Sequence, residues 1–158
     1  MLLSMDTKLQ YHHWANRTLL EHINQLDDEV FIKEVNSIFP SLAAIFEHIY
    51  SVDSMWLKRI SGEKAGVLET IKFDIPTMAI QAFNQLHQQY NQLYIIEGKI
   101  SYQNSKGEIF QNELYEIIEH LSNHGTYHRG NASAVLHQLG HNSVSTDLIF
   151  FLRMVNKC

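Results

Sequence analysis

Apolar residues recur along most of this chain with the period of a helix. From Asp6, a residue suited to an N-cap, to Leu26, the positions Leu9, Leu19, Leu20, Ile23 and Leu26 form one stripe. Asn16 and one of His12 or His13 interrupt it, which predicts a helix edge or a wet cavity. A connection follows from Asp27 to Phe39, with room for a short helical turn. The second stripe starts at Pro40 or Ser41, where proline suits a first turn, and ends before Gly62. Ile45, Ile49, Val52 and Trp56 recur there at helical spacing, with Leu42 and Ile60 on the same side and His48 at the border. Gly62 to Asp74 is a loop. A third helix follows Pro76 to about Gly98 and turns Met78, Ala82, Leu86, Leu93 and Ile96 inward.

Between Ile100 and Phe110 the period shortens to apolar–polar alternation, broken by Asn104-Ser105-Lys106-Gly107. That is a small β-hairpin or an extended loop. A fourth helix runs from Asn112 as N-cap to Gly140, and Ser145 or Thr146 caps a last one through Asn156. The pattern therefore predicts an all-α protein spanning residues 1–158 as a single domain. Its architecture is a four-helix bundle with a short additional C-terminal helix and a small hairpin between the third and fourth helices.

The fourth helix carries His120, His124 and His128 at four-residue steps. Such residues nearly stack on one face, about 6 Å apart along the axis. Neighbouring imidazoles at that spacing can share one metal ion, but His120 and His128, about 12 Å apart, cannot. The apolar stripe chooses between the pairs. At about 100° per residue, His128 lies about 30° from the centre of the stripe, His124 about 70° and His120 about 110°. His124 and His128 are the better pair, and a further ligand must come from elsewhere.

Composition adds little beyond the ten histidines among 158 residues. A hydrophobic share of 45% with 18% charged residues suits a folded globular chain. A net charge of −5 without a basic run gives no reason to expect nucleic acid or an anionic membrane as partner. The one cysteine, Cys158, permits no internal disulfide and fits a reducing cytoplasm. No apolar run approaches the length of a membrane span, and the N-terminus lacks the basic start and apolar run of a signal peptide.

Asn-His-Gly-Thr-Tyr-His-Arg-Gly at 123–130 resembles the Asn-His-Gly-Thr-His-His-Arg-Gly signature of the DinB-like metalloprotein family. Three more segments resemble that family in order: Tyr11-His12-His13-Trp14-Ala15-Asn16, Glu47-His48-Ile49 through Trp56-Leu57, and Ser145-Thr146-Asp147-Leu148. The resemblance implies a four-helix bundle with one divalent metal ion held by His48, His124 and His128. Tyr127 departs from the commoner His-His pair, and Asn131 stands where the family usually has Gln. The implied ion is zinc or nickel first, with iron, manganese or copper as further choices.

Three protein ligands leave positions for water or substrate, the pattern of catalytic rather than structural sites. Such an ion can lower the pKa of water towards about 7 or activate a thiolate. Two classes of function follow. One, which the family resemblance implies, is a metal-dependent enzyme with a small-molecule substrate: a transferase using a low-molecular-weight thiol, in detoxification or stress response, or a metal-activated hydrolase. The other is a non-catalytic metal-binding or interaction module in which the ion stabilises the bundle. A homodimer is expected from the family resemblance.

The remaining polar residues have simpler readings. His12, His13, His22, His87, His137 and His141 are expected at the surface or an edge, and His120 at the outer edge of its helix. Trp14, Tyr50 and Trp56 pack the core, and with Asn16 the first two would line a substrate cavity. Arg129 makes a salt bridge or helix contact. Glu47 and Asp53 are solvated or pair along the helix, though either could orient a liganding imidazole. No side chain stands out as a catalytic acid or base.

Overall fold

The computed structural model describes residues 3–93 and 98–156. The chain is all-α apart from one two-stranded hairpin. Its elements are α1 (Met5–Ile23), α2 (Asp28–Ile32), α3 (Leu42–Ile60), α4 (Pro76–Tyr90), β1 (Lys99–Gln103), β2 (Ile109–Glu113), α5 (Leu114–Gln138) and α6 (Leu148–Val155). α1 packs against α4 and α5, and α3 packs against the same two helices. α1 and α3 therefore face each other across the diagonal of the bundle.

Hydrophobic stripes account for the packing. Leu42, Ile45, Ile49, Val52, Trp56 and Ile60 of α3 are all buried, as are Leu9, Leu19, Leu20 and Ile23 of α1. One core cluster joins α1, α2, α3, α4 and the second half of α5 through Leu19, Phe31, Phe46, Phe83 and Leu136. A second surrounds Trp56 and Leu121 near the hairpin. Among the described residues no helix is long and apolar enough to cross a membrane.

Several boundaries differ from those the sequence suggests. Ser4 rather than Asp6 caps α1, because its hydroxyl reaches the Thr7 amide at 3.1 Å; Asp6 lies in the first turn, where a carboxylate meets the positive end of the helix. α1 also stops at Ile23, three residues before Leu26. Within α4 the buried positions are Ala79, Phe83, Leu86 and Tyr90, so Met78 is turned outward at 40% exposure. α4 ends at Tyr90, well before Gly98, and Ile96 lies outside the described residues.

The N-cap of α5 is Glu113, not Asn112. Glu113 accepts from the backbone three residues on, while Glu116 accepts from the Glu113 amide at 2.9 Å. Asn112 instead pairs with Ile100 in the hairpin. α6 is capped by Asp147 rather than Ser145 or Thr146 and ends at Val155.

Candidate metal centre

His48 comes from α3, and His124 and His128 from α5. The two helices pack side by side and bring the three rings together. Each imidazole offers a donor nitrogen, and the three donors lie within 4.8 Å of one another. The closest two, His48 Nε2 and His124 Nε2, are 3.2 Å apart, about the spacing of two nitrogens bound at about 2.0–2.1 Å to one tetrahedral ion. The burial order along α5 follows the stripe: His128 is buried, His124 half-buried and His120 exposed.

The electrostatics suit a cation. Burial, then the nearby His128, His48 and His120, lowers the His124 pKa to about 3. Burial and His48 lower that of His128 to about 4. Burial lowers His48 as well, with Asp53 opposing the shift. At neutral pH the three rings are therefore neutral, and each has a lone pair it can offer to a metal ion. The donor set and its spacing thus fit a divalent ion that accepts imidazole nitrogen.

Aromatic rings frame the cluster. Phe39 packs on His48 at 5.3 Å and edge-on to His128 at 5.2 Å. Tyr127, 63% exposed, meets His128 edge-on at 5.0 Å. His120 contacts His124 at 5.8 Å and Trp56 at 5.6 Å without joining the cluster. The amide of Asn131 comes to 3.5 Å of His128 Nδ1.

Beside this cluster, in the centre of the bundle, runs a polar chain that sequence reasoning missed. His12 is buried, not at an edge, and its Nε2 lies 2.7 Å from Asp53 Oδ2 across the diagonal. Asp53 is correspondingly buried rather than solvated. Asn16 connects His12, at 3.2 Å, to Arg129, whose Nη1 donates to Asn16 Oδ1 at 2.8 Å. Arg129 is 2% exposed and makes no salt bridge among the described residues; it donates also to Thr126 at 3.0 Å and Tyr11 at 3.4 Å. The signal that could have found this chain was the His12–Asn16 pair, four residues apart within an apolar stripe.

Gly125 makes room for it. A Cβ there would lie 2.4 Å from His12 Cε1, 2.5 Å from His12 Nδ1 and 2.6 Å from Arg129 Nη1. The glycine of the Asn-His-Gly motif is thus a point of close approach between α5 and α1.

Other expectations need correction. His13 and His87 do lie at an edge, half-buried, but they are stacked on each other at 3.8 Å between α1 and α4. Burial and His87 lower the His13 pKa to about 4. Glu47 accepts from the Phe73 amide and Lys72, and orients no histidine. Trp14 and Tyr50 do not line the cavity beside Asn16. Trp14 packs on Tyr11 and Phe151, and Tyr50 on Phe73 and Phe83. Asn16 lines a separate cavity of about 20 Å³ with His12, His13, Asp53 and Tyr90, enough for one water molecule.

A helical bundle that gathers three neutral imidazoles at the meeting of two helices is positioned to bind a metal ion. The DinB family model matches residues 1–157, and the chain belongs to the DinB family. The chain is 29% identical over 157 residues to Protein DinB of Bacillus subtilis (strain 168), an alignment covering 92% of this chain and 91% of that protein.

Proposed function

We propose that this protein is a divalent-metal-dependent enzyme acting on a small molecule, a thiol S-transferase first and a metal-activated hydrolase second. The observation that carries the reading is the composition of the cluster: three histidines and no fourth ligand among the described residues. Structural sites are usually closed by four protein ligands. An ion in an open site supplies Lewis-acid activation of a thiol or water. Zinc or nickel suits three imidazoles best, with iron, manganese or copper following.

The protein's own groups would then have separate tasks. His48, His124 and His128 hold the ion, and their lowered proton affinity keeps them available at neutral pH. Phe39 shields the inner side of His48 and His128. His120, exposed and set against Trp56, offers a proton acceptor at the rim. We further propose a cytoplasmic role in detoxification or stress response, and a homodimer.

Elemental analysis of protein purified without a tag, followed by a thiol-transfer and hydrolysis screen of the loaded form, tests the reading. One equivalent of metal is expected. His48→Ala, His124→Ala and His128→Ala should each lose most of it, while His120→Ala keeps it. A stoichiometric ion without turnover of any thiol or hydrolysable substrate would favour the module in which metal only stabilises the bundle. Retention of full stoichiometry and affinity by His48→Ala would place the third ligand elsewhere.

A further inference from the structure

The polar chain and the neighbouring histidine cluster have buried atoms without a partner among the described residues, and one from each is complementary to the other. His124 turns Nε2 towards His48, so when that nitrogen binds an ion its hydrogen resides on Nδ1. His124 Nδ1 is buried and unpartnered. Asp53 gives one carboxylate oxygen to His12 at 2.7 Å, and its other, Oδ1, is also buried and unpartnered. One site lacks an acceptor and the other a donor. Leaving both empty in a protein interior is strongly unfavourable.

Their neighbourhoods overlap. Asp53 lies five residues after His48 on α3. His48 and His120 flank His124 on either side. His12, which holds Asp53, rests against Gly125, the residue after His124. The Tyr90 hydroxyl donates to the Asp53 carbonyl at 2.6 Å and fixes the backbone from α4.

We propose that Asp53 is the outer carboxylate of the metal centre, its Oδ1 accepting the His124 Nδ1–H through one ordered water while His12 holds Oδ2. The inference rests on the metal-binding reading above. Asp53 and His12 are positioning residues that act through His124. A carboxylate behind a liganding imidazole fixes its tautomer and ring orientation and strengthens it as a donor. Loss of such a partner typically weakens metal binding about 10–100-fold.

The test compares zinc affinity, by competition with a chelator, in the full-length wild type, Asp53→Asn and Ile60→Ala. Ile60 is a buried core residue two turns along α3 that takes no part in this chain of bonds, so its truncation controls for loss of stability. Asp53→Asn should bind zinc about 10–100-fold more weakly, with Ile60→Ala close to wild type. Asp53→Asn with wild-type affinity and lowered stability would overturn the proposal, leaving Asp53 as a structural partner of His12. Nitrogen-15 spectra of the zinc-loaded wild type provide a second readout that needs no variant. The His124 Nδ1–H should exchange slowly and show contact with a buried water, and a rapidly exchanging one would overturn the assignment. A wild type that binds no zinc or nickel would instead remove the metal reading itself.

Discussion

Two sets of polar side chains lie side by side inside this bundle, and they use burial in opposite ways. In the chain from Asp53 through His12 and Asn16 to Arg129, each member is bonded to the next across three helices. At His48, His124 and His128 the nitrogens face one another, and after burial His128 and His48 depress the proton affinity of His124, and His48 that of His128. The first set gives its hydrogen bonds to the fold. The second gathers its donor nitrogens in one place, positioned for a metal ion. Polar groups in a core thus need not be structural, and the pattern of bonding separates the two uses.

The comparison can be broken by substitutions in the metal-free protein. Arg129→Ala should have the largest effect, destabilising by about 3 kcal/mol or more, because it leaves a cavity and unpaired acceptors on Asn16 and Tyr11. Urea denaturation would measure it, and a change below about 1 kcal/mol would show the chain to be dispensable. Gly125→Ala comes next. Alanine favours a helix, but the buried His12 and Arg129 must shift, for a net loss of about 1–3 kcal/mol.

Acidification probes the other set. His124 and His128 titrate near 3 and 4 in the folded protein, against 6.5 for an ordinary histidine. Below about pH 6.5 the unfolded chain therefore binds protons that the folded one refuses. Metal-free stability should be flat above that pH and fall as it drops towards 4. Urea midpoints at several pH values would check this, and a rise on acidification would contradict it. His48→Ala should be milder still, about 1 kcal/mol in metal-free protein, since it removes a single half-buried hydrogen-bond partner of His124. Smallest of all, Tyr127→His, which restores the commoner motif at an exposed position, should shift thermal stability by no more than about 0.5 kcal/mol.

Much of this was legible from local pattern. The inward stripe of α3 contains the residues expected of it, and the angular order of His128, His124 and His120 matches their burial. Three imidazoles do meet between α3 and α5. What failed depends on partners distant in sequence. Asp53 alone is an acid on a helix; its burial requires His12, 41 positions away, and no periodicity encodes that pairing. Arg129 likewise has the look of a surface ion until Tyr11 and Asn16 surround it. The outward turn of Met78 is a simpler error of one residue in phase, corrected by the anchoring of Ala79, Phe83 and Tyr90.

The junction between the hairpin and α5 limits how this chain can change in length. β2 ends at Glu113 and α5 begins at Leu114, with no residue between them and the Glu113–Glu116 box closing the step. A residue inserted there must go into the strand or into the helix. In the strand it exchanges the inner and outer faces of the hairpin. In the helix it turns the following residues by about 100°, carrying His124 and His128 away from His48. The loop between α3 and α4 has no such constraint on its phase. Insertions and deletions should therefore accumulate between Gly62 and Asp74 and be excluded from the Glu113–Leu114 step.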